Sequence, residues 1–384
     1  MNSKKYEPLN IKVMKNLKSI SLSFAIVFAL IFSSCEENVD LRPADDNILP
    51  EKFSVDIPSS LSSDYSSKKS GAAVDTLNGN AVYQHLGSFI HIGESAAEIV
   101  EDIIIGIGKY DINKPLSLSY ESEDDGRVKN LVVVENSFYD GVNWKFQLTV
   151  TDAESEMNED GGLAMQIFWN NDPRKGIALL KPVNIDKTSD GHFAKAMFRI
   201  DYSEAGEHGY DAHMIVAISE LPLAHPLEDP YSMKALKMFV GKKGEHIDIY
   251  GNSDHPNAVF FTPTTGFNWA FIASGHERLD IGVAEVGLPP SNLDTPSREV
   301  ILKDYAIKEV FSSQIYHLWP FIDEETVDAY LYNTEAPGFF DEYGFIQGGT
   351  APGDEYDELL GRIENLAPYN PAGINKLELE FKQD

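Results

Sequence analysis

The stretch "TDAESEMNEDGG", residues 151 to 162, sets an oxygen-bearing side chain at every second position: Asp152, Glu154, Glu156, Asn158 and Asp160. Calcium takes six to eight oxygen ligands, so these five residues are a candidate calcium site. The loop lacks the glycine at position six and the glutamate at position twelve of an EF-hand, and a solvated acidic turn is the other reading. The chain has ten histidines and no HExxH. His85 and His91 fall on different faces of any helix, and His208 and His213 point to opposite faces of a strand, so spacing along the chain defines no zinc motif. There is no GxSxG, no P-loop and no GxGxxG after a strand. Carboxylates are abundant, but no pair stands out as a glycosidase acid and nucleophile. Catalysis would need residues scattered in sequence to converge in space.

A second group is aromatic. "FFTPTTGFNW" and "APGFFDEYGFIQGG" place Phe260, Phe261, Phe267, Trp269, Phe339, Phe340, Tyr343 and Phe345 beside proline and glycine, where loops are expected. Exposed, they would make platforms for sugars, a lid over an apolar ligand or a contact with a protein partner. Buried, they would plug the ends of a sheet.

The elements that must position these residues follow from periodicity. "NAVYQHLGSFIHIG" and "ESAAEIVEDIIIGIGKY" predict two helical pieces within residues 80–108, broken at Gly93, with Val100, Ile103, Ile104 and Ile107 on one stripe. Between residues 115 and 287 the period changes to two. "VNWKFQLTVT" alternates Val142, Trp144, Phe146, Leu148 and Val150 with polar residues, and "AKAMFRIDY" repeats the pattern. Nine further runs are "LSLSYES", "VKNLVVVENS", "LAMQIFWN", "GIALLKP", "AHMIVAIS", "ALKMFVG", "EHIDIYG", "NWAFIAS" and "LDIGVAEVG", joined by turns such as Asp140-Gly141. With short connections and no helical crossovers, they predict an antiparallel meander of about ten strands. Residues 297–366 turn helical, and "KLELEF" within residues 376–382 predicts a last strand. The fold class is α+β, a long antiparallel sheet with helices, shaped as a half-open barrel with a helical lid or as a sandwich.

The start of the chain carries the most specific signal. Residues 20 to 32 are uncharged, and Lys4, Lys5, Lys12, Lys15 and Lys18 precede them against only Glu7. This uncharged, mostly apolar run of thirteen residues is too short to span a bilayer, for which about 20 are needed, but it suits an export signal starting at Met1 or Met14. Phe32-Ser33-Ser34-Cys35 follows, and Cys35 is the chain's single cysteine. This resembles the lipobox of bacterial lipoproteins, with Phe32 in place of the usual leucine and Ser34 in place of glycine or alanine. Glu36-Glu37 directly afterwards resembles the export signal of Bacteroidota surface lipoproteins. The resemblance implies cleavage before Cys35, its lipidation, and an outer-membrane protein at the cell surface. Several acyl chains, at about 0.8 kcal/mol per buried methylene, hold a soluble domain where one chain is marginal.

The division expected is therefore a signal peptide at 1–34, a lipidated cysteine and flexible tether at 35–77, rich in Ser, Asp and Lys, and one globular unit at 78–384. With no second cysteine, the core must stabilise that unit without an internal disulfide. The formal charge is −30, and loss of residues 1–34 removes five lysines and one glutamate to leave −34. So acidic a surface repels nucleic acid and anionic headgroups. The leading functional expectation is a non-catalytic domain holding an apolar ligand between sheet and helices. The alternative is an accessory or structural protein that binds a glycan or an outer-membrane protein partner through aromatic loops, and an uncharacterised hydrolase is third. No cofactor is implied apart from the candidate calcium.

Overall fold

The computed structural model describes residues 48–63, 79–108, 110, 112–188, 193–225, 231–258 and 266–383. Cys35, Glu36, Glu37, Phe260 and Phe261 lie outside them.

Thirteen strands form one antiparallel sheet in which each pairs with its neighbours in sequence. They are β1 (Leu116–Glu121), β2 (Val128–Tyr139), β3 (Val142–Asp152), β4 (Leu163–Asn171), β5 (Arg174–Leu180), β6 (Met197–Ser203), β7 (Ala212–Ser219), β8 (Ala235–Lys243), β9 (His246–His255), β10 (Phe267–His276), β11 (Ile281–Gly287), β12 (Gly338–Asp341) and β13 (Gly344–Gly348). All eleven runs read from period two are strands β1 to β11. The remaining two come from the "GFFDEYGFIQG" stretch expected as an aromatic loop. At four and five residues, flanked by glycine, they are too short to show a period. They hold as a hairpin turning at Gly344, whose φ of 106° suits glycine.

An up-and-down order sorts the connections. Tight turns such as Asp140-Gly141, both at positive φ, join strands at one end of the sheet. The longer connections 153–162, 181–196, 220–234, 256–266 and 288–337 all fall at the other end.

Helix α1 (Gly79–Gly108) crosses one face of the sheet, touching β13, β8, β7 and β6. It is one helix, not two pieces. Gly93, expected as the break, is where the helix meets β8: a Cβ there would lie 2.5 Å from Met238 Cε. Val82, Leu86, Phe89, Ile90, Ala97, Val100 and Ile104 are buried along α1 against the main core. That core includes Phe146, Leu148, Val150, Phe198, Ile200 and Tyr202 from the alternating strands, whereas Trp144 joins a smaller cluster with Phe168, Ile177 and Leu179.

The tether expected over 35–77 is corrected in its middle. Leu49, Phe53, Val55 and Leu61 are buried in the main core, and Glu101 and Glu94 of α1 accept hydrogen bonds from the backbone N–H groups of Phe53, Ser54 and Ile57 at 2.5, 2.7 and 2.8 Å. Residues 48–63 are thus a strap on the α1 face. Phe53, Val55 and Ile57 alternate with Ser54 and Asp56, but the run is only five residues between Lys52 and Pro58, and its donors at Phe53, Ser54 and Ile57 go to side chains instead of a ladder.

Helices α2 (Ile307–Leu318) and α3 (Glu324–Tyr330) lie in the β11–β12 connection, and α4 (Asp357–Ile363) covers the opposite face over β10 and β11. The last strand expected at 376–382 does not form. Phe381 inserts among Trp144, Phe168 and Leu179, and the Gln166 side chain pairs with the backbone of Lys382 in place of a ladder, at 2.8 and 3.3 Å.

Candidate functional site

The described aromatic residues of the set expected on loops do not assemble a contact surface. Phe267 and Trp269 are buried in β10, and Phe339 and Phe340 in β12. Phe345 of β13 stacks on Tyr83 of α1 with ring centres 4.7 Å apart. Among the described members of the set only Tyr343, at the tip of the β12–β13 hairpin, is exposed. Proline and glycine beside these residues mark close packing: a Cβ on Gly338 would sit 2.7 Å from the Tyr83 ring.

Four of the five residues of the acidic stretch are engaged by basic or amide side chains from outside it. Asp152 is fully buried and takes Arg127 Nε and Nη2 at 3.0 and 2.7 Å and Lys129 Nζ at 3.3 Å. Burial opposes its ionisation, yet the hydrogen bonds from Arg127 and Ser155 and the charge of Lys129 overcome that and hold it well below the usual carboxylate range. Glu154 pairs with Arg127 at 3.1 Å, and Glu156 accepts from Asn130 at 2.7 Å. Asp160 binds Lys181 and Asn184 at 2.5 and 2.9 Å, and Asn158 is exposed. The stretch closes the β3–β4 connection as an ion-pair network. Among the described residues no group of three or more His, Cys, Asp or Glu side chains is arranged to hold a metal ion as it stands.

Sequence spacing also concealed a serine–histidine pair. Ser253 and His255, two apart on β9, are both fully buried, and Ser253 Oγ lies 2.7 Å from His255 Nε2. The carbonyl oxygen of Tyr231 is 2.8 Å from Nδ1, so Nδ1–H donates to it and Nε2 accepts from the serine hydroxyl. A nucleophile, a base and an orienting group stand in line, which is the geometry of nucleophilic catalysis. Burial, however, pushes the His255 pKa down to about 3, leaving a weak base packed against Phe89 and Trp269. The pair therefore satisfies core polar groups.

The exposed apolar feature lies elsewhere, in "HLWPFIDEE". α2 is pinned to the core by Ile307, Phe311 and Ile315, and α3 by Val327. Asp323 caps α3, accepting from Thr326 N at 2.8 Å. Between these fixed helices Trp319 is 53% exposed and Phe321 100% exposed. With Leu318, Ile322 and Tyr330 they line an open groove of about 650 Å³. Asp323, Glu324, Glu325 and Asp328 stand exposed along α3, and Asp328 is bound to Lys308 at 2.9 Å. A Trp-Pro-Phe run between two amphipathic helices was the sequence signal for this site, overlooked beside the longer aromatic stretches.

Comparison with family models, with curated proteins and with solved structures finds no match. No described helix is long and apolar enough to cross a membrane.

Proposed function

We propose that the protein is an accessory protein anchored by lipid at Cys35 to the outer membrane and displayed at the cell surface, where it docks a protein partner through the groove of Leu318, Trp319, Phe321, Ile322 and Tyr330. The observation that carries this is a fully exposed phenylalanine beside a half-exposed tryptophan on helices that are themselves held in the core. Rigid aromatic anchors lose little conformational freedom on binding and dominate interface energetics. The α1 face, by contrast, is filled with side chains, which turns the reading away from an apolar ligand held between helix and sheet.

The groove lining is almost wholly apolar, whereas a sugar needs convergent hydroxyl partners. The acidic rim repels anionic headgroups and favours a partner whose apolar side chain is ringed by Lys or Arg.

A photo-crosslinking amino acid at Phe321 in intact cells tests the site. The expected result is a discrete protein adduct that Trp319→Ala abolishes and that does not form from a probe at Tyr343. Adducts to glycan or lipid alone, or the same adducts from both positions, overturn it. Separately, Cys35→Ala should move the protein out of the membrane fraction, and retention there would defeat the anchor.

A further inference from the structure

On the face opposite α1, β9 begins and β10 ends with a histidine. His246 and His276 lie directly across from each other in the β9–β10 register, with ring centres 4.9 Å apart. Two imidazoles bound to one tetrahedral zinc at about 2.0–2.1 Å place their ring centres about 5 Å apart. The ring-centre separation of this edge-to-face pair thus matches that of a chelating pair. Their side chains are only 15% and 13% exposed, and His246 Nε2 and His276 Nδ1 are buried with no hydrogen-bond partner.

α4 supplies a third group. Arg362 grips Asp248 through two hydrogen bonds of 2.9 and 2.6 Å, and Asp248 also takes Ser274 at 2.8 Å and Tyr210 at 2.9 Å. Four residues along a helix advance about 6 Å, close to the two-residue advance of a strand, so a register fixed at Arg362 over Asp248 sets Glu358 over His246. Glu358 Oε1 is 3.2 Å from His246 Nε2 but out of hydrogen-bond alignment, and its side chain is 68% exposed and able to turn.

On the outer side, Glu245 Oε2 lies 3.5 Å from His276 Nε2. A carboxylate in that place fixes the tautomer with the proton on Nε2 and the Nδ1 lone pair available. The nearby cations are occupied, Arg278 by Glu245 at 3.1 Å and Lys242 by Glu277 at 2.7 Å.

We propose that His246, His276 and Glu358 bind a borderline divalent transition metal ion of the zinc class, through His246 Nε2, His276 Nδ1 and one carboxylate oxygen, with water as the fourth ligand. Rotation of the Glu358 side chain completes the set. Two imidazoles and a carboxylate suit zinc or copper, whereas calcium and magnesium prefer oxygen alone. The bound ion clamps α4 to the turn end of β9 and β10.

The test is calorimetric titration of the full chain, dialysed free of metal, with zinc chloride at pH 7.5. The wild type is expected to take up one equivalent. The paired substitution His246→Gln and His276→Gln should weaken uptake at least about 100-fold, and Glu358→Gln about tenfold. As a check that needs no variant, cupric ion bound to the wild type should give an electron paramagnetic resonance spectrum with two imidazole nitrogens. Absence of stoichiometric zinc uptake, uptake undiminished by the paired substitution, or a copper spectrum with oxygen ligands alone overturns the site.

Discussion

At the scale of single residues, His255 makes stability depend on pH. Burial pushes its pKa down to about 3 in the folded protein, whereas an unfolded chain takes up the proton near the ordinary value of about 6.5. Between those values the unfolded state binds more protons, so stability rises with pH and is lost as pH falls below 6.5. This residue alone should make the protein about 2 kcal/mol less stable at pH 5 than at pH 7. His255→Gln keeps a polar group for Ser253 and Tyr231 but cannot titrate. Chemical denaturation at both pH values should show a pH difference smaller in the variant by about that amount, and an unchanged difference would refute the assignment. Chemistry at this scale was the least legible in the sequence. Ser253 and His255 look like any alternate pair on a strand, and His246 and His276 are 30 positions apart, joined only by the register of β9 on β10. The acidic stretch was conspicuous in sequence, but its meaning depends on Arg127, Lys129, Lys181 and Asn184, which arrive from two other parts of the chain.

At the scale of elements, alternation is clearest where one face of a strand meets the core and the other meets water, as in β2 and β6. β10 and β11 are buried on both faces, but seven to ten residues between turns still read as strands, whereas β12 and β13, whose faces meet α1 and α4, are too short at four and five residues. Glycine misled in the opposite direction. Gly93 reads as a helix break because glycine costs about 1 kcal/mol in a helix interior. Here it is retained at the crossing of α1 over β8, where Met238 and Leu236 leave room for no larger group. Gly93→Leu should therefore destabilise the protein by about 1–3 kcal/mol through overpacking, despite leucine's better helix propensity. A denaturation midpoint equal to or above that of wild type would show that Gly93 is not a packing contact.

At the scale of the whole molecule, the strap alters how the domain is presented. Between Cys35 and Ile48 lie twelve residues, which reach at most about 45 Å at full extension, against roughly 150 Å for a tether running to residue 77. Ile48 is held beside the β4–β5 turn, where its carbonyl accepts from Trp169 Nε1 at 2.7 Å and Asn171 Nδ2 at 3.2 Å. That is the end of the sheet with tight turns. The connection bearing Trp319 and Phe321 leaves β11 and re-enters β12 at the other end, so Ile48 and the roots of that connection lie at opposite ends of the strands. The strap is also structural. Removing it takes Leu49, Phe53, Val55 and Leu61 from the core and strips Glu94 and Glu101 of their backbone donors. Truncating one large buried apolar side chain costs about 2–5 kcal/mol, and a domain's whole margin is about 5–15 kcal/mol. A chain beginning at residue 47 should consequently unfold cooperatively at the temperature of one beginning at residue 36. A chain beginning at residue 78 should show no cooperative transition by calorimetry, or one lowered by tens of degrees. If it melts within a few degrees of the longer chains, residues 48–63 contribute nothing to the fold and the tether extends to α1 after all.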